Sequence, residues 1–238
     1  MAARYGPAMM MPFPTGSFSG LDAIAVGMLI LTWVLTGYLV EHPPKGRISV
    51  AVLMADYRRD WMQQFVTRQP RIFDANVIDS LRQGTAFFAS ASMIAIGGGV
   101  ALIGNSARVE GLAQDLTLQT EGVVIEVKIM LVIVFLANAL LKFIWAHRLF
   151  GYCAILMAAV PNDADDPTAY QRAEQAAEIN ITAAKSFNRG LRAIYFSLAA
   201  IGWLLGAWAL MAAVAVSALV LMRREFASHS RQVMLERP

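Results

Sequence analysis

Charge is what this chain has least of. Only 16% of its 238 residues are Asp, Glu, Lys or Arg, while 57% are hydrophobic, against roughly 25% charged in soluble domains. A bilayer has to be the solvent for much of such a chain. Cysteine is nearly absent, and the single Cys153 excludes an intrachain disulfide and any multi-cysteine zinc or iron–sulfur site, leaving a small buried apolar residue as its reading. Histidine is equally sparse: His42, His147 and His229 lie in separate segments and form no HExxH or other ligand spacing, so no metal or haem is expected within one chain. There is no P-loop, no GxSxG elbow and no dinucleotide fingerprint. Gly97-Gly98-Gly99 falls inside an apolar run, where close helix packing explains it better than phosphate binding. No convergent set of titratable groups is visible for acid–base chemistry, so a non-enzymatic protein without cofactors is expected. The net charge of +3 comes from Lys and Arg scattered between apolar segments, which fits a charge gradient across a membrane and not a nucleic-acid surface.

What is present is an all-α pattern, a polytopic membrane protein with four transmembrane helices and long cytoplasmic helical extensions. Residues 1–20 form a flexible N-terminal segment, 21–226 one membrane domain and 227–238 a tail. Ser19 and Asp22 make a capping box before the first span, 21–40, which Pro43, Pro44 and Gly46 end. Over 48–69, Val50, Met54, Tyr57, Trp61 and Phe65 recur at helical spacing between polar residues. This amphipathic helix lies on the bilayer or packs on other helices, and Asp56 and Asp60 in its basic face favour packing. Asp74 is the expected N-cap of the helix that becomes the second span, 84–103. After a net acidic connection, 105–122, the run 121–161 has no proline before its end. It predicts one helix of roughly 60 Å, twice the bilayer's hydrocarbon thickness, spanning over 123–145. The acidic stretch 161–167 lacks the glycine and distal Glu of an EF-hand and reads as a solvated turn, with Asp166 as N-cap and Pro167 at N1. Then 168–188 is polar and helical with an apolar stripe at Tyr170, Ala173, Ala177, Ile181, Ala184 and Phe187, and 191–222 is the last span.

Four spans put the 46–83 and 146–190 regions on one side and both termini on the other. The first side holds most of the arginines, so the large connections are expected in the cytoplasm and the termini outside, in the inner (plasma) membrane of the cell; the basic tail after Met222 opposes this. The two halves echo each other, each entering its second span through a basic, aromatic threshold. These thresholds, LRQGTAFFAS over 81–90 with Arg82, Gly84, Phe87 and Phe88, and NRGLRAIYF over 188–196 with Asn188, Arg189, Gly190, Arg192, Tyr195 and Phe196, together with Trp203, resemble the membrane protein family of domain of unknown function 599. The resemblance covers about 21–226. It implies a four-helix membrane protein and carries over no activity, ligand or catalytic residue.

Polar groups on the long helix are the remaining candidates. Snorkelling to an interface accounts for Glu126, Lys128 and Lys142, His147 lies beyond the span, and Asn138 is deep, where a helix–helix hydrogen bond outweighs a transport role. Gly202 and Gly206 offer a GxxxG contact face in the last span. Beyond the lipid bilayer, the expected partners are further copies of the chain or the subunits of a larger membrane complex. The functional expectation is therefore a structural or accessory subunit, or a self-assembling scaffold with a cytoplasmic helical stalk; the alternative is a homo-oligomeric channel or transporter for a small ion or solute.

Overall fold

The computed structural model describes residues 18–105 and 122–236. The expectations for most of the N-terminal segment, for the acidic connection around Arg108 and for Arg237 lie outside the described residues. Seven α-helices follow in order, with no strand among the described residues: α1 Gly20–Glu41, α2 Val50–Thr67, α3 Ile72–Ile103, α4 Gly122–Ala158, α5 Ala169–Ile201, α6 Ala207–Phe226 and α7 His229–Leu235, with a 3₁₀ turn Gly202–Leu205 between α5 and α6. Among the described residues four segments are long and apolar enough to cross a membrane: α1, α3, Val124–Ala158 and Ala207–Leu235.

Local signals set several boundaries as expected. The Ser19 hydroxyl accepts the Asp22 amide while Asp22 Oδ2 accepts the Ser19 amide, closing the capping box of α1. Gly46 takes φ +87 in the turn after α1, a conformation that favours glycine. Within the uninterrupted run 121–161 stands one helix, Gly122–Ala158, of 37 residues, about 55 Å at 1.5 Å per residue. Asp74 is not an N-cap. The helix begins a turn earlier, at Ile72, and buries Asp74 completely, where its Oδ1 accepts Trp61 Nε1 at 2.6 Å and pairs with Arg68; a carboxylate with two such donors is worth more inside than at an end already open to water. Helix α5 starts at Ala169, two residues past the expected start, although Asp166 Oδ1 accepts the amide and hydroxyl of Thr168 in the manner of a cap.

The 191–222 segment is not one helix. The chain leaves α5 at Ile201, turns through Gly202–Leu205, passes Gly206 at φ +116, and returns as α6 antiparallel to α5. Apolar residues on both sides of the turn conceal it from a hydropathy reading. Gly202 and Gly206 therefore do not share a helix face. A Cβ on Gly202 would lie 3.1 Å from the Ala209 carbonyl and 3.2 Å from the Ala213 Cβ, so Gly202 serves the hairpin's own close contact. The reversal also corrects the expectation that both termini share an end. Trp203 Nε1 donates to Asp22 Oδ1 at 2.7 Å, tying the turn to the start of α1. At the other end Glu225 Oε2 accepts the Ala51 amide at 3.1 Å, Arg231 Nε donates to the Ile48 carbonyl at 2.8 Å and Tyr57 donates to the Met234 carbonyl at 3.2 Å. The basic tail thus lies with the 41–50 connection.

Helix α5 is central: it packs along α4, and α3 flanks α4, while α1 and α6 pack on each other and on the last third of α5. In the apolar part, Ala25, Leu29, Phe135, Phe196, Ala199 and Leu210 form a core with little or no exposure. In the polar part, α2 packs on α5, Met62, Phe65 and Val66 meeting Ala169, Ala173, Ala176 and Ala177 beside Cys153. The alanines permit the close approach, and Cys153 is fully buried with its thiol toward the Ala176 carbonyl at 3.4 Å.

Candidate functional site

Where the apolar and polar parts meet, the two thresholds of the sequence come together in space. Phe143 of α4 is fully buried between Phe88 of α3, stacked at 5.4 Å, and Phe187 of α5, at 5.5 Å, while Phe88 and Phe187 meet edge to face at 5.6 Å. Gly190 exists for this ring: a Cβ there would sit 2.6 Å from Phe143 Cε1. Beneath the cluster, Thr85 Oγ1 donates to the Arg82 carbonyl at 2.6 Å and lies 3.1 Å from His147 Nδ1, so His147 seats α4 on α3. Phe87, by contrast, is exposed at 66%, and Phe196 belongs to the apolar core.

One helical turn away stands an ion network. Glu41, at the end of α1, receives Arg189 in a two-pronged fork, Nε to Oε1 at 2.9 Å and Nη2 to Oε2, while Arg192 Nη2 bonds Oε1 as well. Side-chain exposure is 15% for Glu41, 8% for Arg192 and 49% for Arg189. Arg192 is thus a buried cation whose carboxylate partner comes from 151 positions earlier. Glu41 is not among the residues expected to matter; its signal in the sequence is a lone carboxylate on the last turn of a span, where an unpaired charge is costly. Tyr195, one turn further on, accepts from Arg224 Nη1 with the guanidinium 5.9 Å from its ring, joining α6 to α5.

Two cavities flank this network and share Glu41. A groove of about 260 Å³ between α1 and α4 is lined by Trp33, Gly37, Asn138, Lys142, Arg189 and Arg192. Asn138 and Lys142 reach it together, and the helix–helix bond expected for Asn138 is not made among the described residues. On the other side, a cavity of about 520 Å³ lies between α2, α3, α5 and α6, bounded by Gly84, Asn188, Arg58 and Glu225 among others. At the far end of the apolar core a second polar group closes the molecule: Lys128, only 6% exposed, stands 5.8 Å from the Trp203 ring, whose indole nitrogen is bound to Asp22.

Chemically this arrangement holds and orients. Among the described residues no three His, Cys, Asp or Glu side chains group closely enough to hold a metal ion. A family model described as "Protein of unknown function, DUF599" matches residues 24–230. No curated protein and no solved structure matches the chain.

Proposed function

The chain belongs to the DUF599 family of proteins of unknown function, and we propose that it is a non-enzymatic integral membrane protein, a structural or accessory subunit or self-assembling scaffold whose polar helices form a cytoplasmic stalk. The observation that carries this reading is the filled core. Between Asp22–Lys128–Trp203 at one end and Glu41–Arg189–Arg192 at the other, the interior is dominated by Ala25, Leu29, Phe135, Phe196, Ala199 and Leu210, all at most 5% exposed, and the buried hydroxyls of Thr36 and Ser197 there are spent on carbonyls of their own helices. A path for an ion or solute through one chain needs water or polar groups at that depth, and this stretch offers packed hydrocarbon. The charges at each end are held by fixed partners, as suits a rigid element that others dock against.

The orientation we assign follows the positive-inside rule. Reversal at Gly206 brings Arg223, Arg224 and Arg231 to the end that already carries Lys45, Arg47, Arg189 and Arg192, so the tail no longer opposes the asymmetry. That end is cytoplasmic, the start of α1 is outside, and the α5–α6 hairpin adds a crossing to make five, in the inner (plasma) membrane.

A second reading, a homo-oligomeric channel, draws on the groove of Asn138, Lys142 and Arg192, which lies on the outside of the chain and would line a pore only between copies. Purification in mild detergent, with identification of co-purifying subunits and ion flux from reconstituted vesicles, separates the two. A stoichiometric partner or stable self-assembly without flux supports the scaffold. Flux abolished by Asn138→Leu with assembly intact supports the channel, and a lone monomer with neither partner nor flux defeats both.

A further inference from the structure

A cation without a counter-ion stands where α2 crosses α5. Arg58 Nη1 donates to Asn180 Oδ1, its Nε is enclosed with no partner, and no carboxylate pairs with it among the described residues. Burial pushes the Arg58 guanidinium below its ordinary pKa, with only Cys153 opposing the shift. Its neighbour Arg59 differs, being committed to Asp56 at 3.0 Å and Glu178 at 2.8 Å. A half-buried guanidinium with its Nε closed off and a neutral acceptor on Nη1 is a costly arrangement for a fold to keep.

Arg58 borders the cavity of about 520 Å³, a volume within the range of small-molecule sites, roughly 300–1,000 Å³. Of the charged groups around it, Glu41 is taken by Arg189 and Arg192, and Asp56 by Arg59. That leaves Arg58, Lys185 and Arg224 facing Glu225, an excess of two positive charges. Arg224 is bonded to the neutral Tyr195 hydroxyl, and Glu225 accepts a backbone amide. Leu81, Phe150, Ile181 and Phe187 supply an apolar wall. The cavity lies at the level of Glu41, where the apolar part of the molecule ends. Helix α3 packs on α4 while α6 packs on α1 and α5, so α3 and α6 border the cavity without packing closely on each other.

We propose that this cavity binds a phosphate group, held by Arg58, Lys185 and Arg224. Three cations bordering one cavity suit the several acceptor oxygens of a phosphate, and the source of the phosphate is either the headgroup of an anionic lipid entering from the cytoplasmic leaflet or a free anion. The site goes beyond the scaffold reading and is independent of oligomeric state.

The test uses the full chain in detergent, with melting temperature and native mass spectrometry read against dioctanoyl phosphatidylglycerol, dioctanoyl phosphatidylcholine and inorganic phosphate. Phosphatidylglycerol should raise the melting temperature and phosphatidylcholine should not. Arg58→Met combined with Lys185→Met should lower phosphatidylglycerol affinity at least tenfold. Alone and without ligand, Arg58→Met should melt at or above the wild type, since it removes an uncompensated cation; a purely structural arginine would lower it. Should Arg58→Met fail to fold, the exposed Lys185→Met and Arg224→Met each still have to weaken phosphatidylglycerol binding. Displacement of the lipid by inorganic phosphate identifies the anion alone as ligand, and a lipid undisplaced by millimolar phosphate identifies the headgroup with its chains. Equal binding of the two lipids, wild-type affinity in the double variant, or no binding of phosphatidylglycerol or phosphate overturns the proposal.

Discussion

Gly190→Ala sets two effects of opposite sign against each other. In an ordinary helix interior, alanine in place of glycine stabilises by about 1 kcal/mol, because glycine loses more backbone freedom on folding. At position 190 the added methyl meets Phe143 Cε1 at 2.6 Å and two further ring carbons at 2.9 Å, closer than carbon atoms approach without strain. A flexible neighbour would move away. Phe143 has no such freedom, being fully buried and held by Phe88 and Phe187 at 5.4 and 5.5 Å. Overpacking of this kind costs about 1 to 3 kcal/mol, so the clash outweighs the propensity gain and Gly190→Ala should destabilise by up to about 2 kcal/mol. Phe143→Leu, which frees the space, should restore the ordinary sign: in that background Gly190→Ala should be neutral or stabilising, giving a coupling energy of about 1 to 3 kcal/mol. Reversible unfolding in mixed micelles, followed by tryptophan fluorescence and circular dichroism, reads all four variants. A single Gly190→Ala that stabilises by about 1 kcal/mol, with no coupling to Phe143, would refute the reasoning.

Glu41→Gln should cost about 3 kcal/mol, since it strands the buried Arg192, and adding Arg192→Met should recover most of that in the same unfolding assay; a loss below about 0.5 kcal/mol would contradict the network. Gly206→Ala places an L-residue at φ +116, a strain of about 1 to 3 kcal/mol, so protease cleavage near the hairpin should rise, and unchanged cleavage would count against the turn. The Thr168 hydroxyl and amide hold the Asp166 carboxylate below its ordinary range. A carboxylate lowered in the folded state contributes above its unfolded pKa and loses that contribution as pH falls through the folded value. Amide exchange over 168–172 should therefore stay constant from neutral pH down to about 5 after correction for intrinsic rates, and accelerate only below the ordinary aspartate range near 4; acceleration already at pH 6 would disagree.

Much of the architecture was legible because its signals are local. A hydroxyl three residues before a carboxylate, a pair of prolines, and a long run without breakers each act within one or two turns, and α1 and α4 follow from them. The thresholds were legible as paired motifs, while the ring they share, Phe143 against Phe88 and Gly190, comes from a third helix and was not. The hairpin at Gly202–Gly206 was hidden because apolar residues stand on both sides and the polar partner of Trp203 is Asp22, 181 positions away. Asp74 looked like a cap because an exposed and a buried aspartate read alike until Arg68 and Trp61 are seen to converge on it. Glu41 and Arg58 were passed over for the same reason: one owes its importance to two arginines brought from α5, the other to a cavity assembled from four helices.

Sidedness of the two ends tests the five-crossing arrangement most directly. Single cysteines at Ser19, Lys45 and Ser230, all exposed positions, are introduced into a Cys153→Ala background and labelled with a membrane-impermeant maleimide from each side of sealed vesicles. Positions 45 and 230 should label from the cytoplasmic side alone and position 19 from the opposite side alone. Labelling of 19 and 230 from one and the same side would contradict the hairpin, and with it the placing of the basic tail beside the stalk.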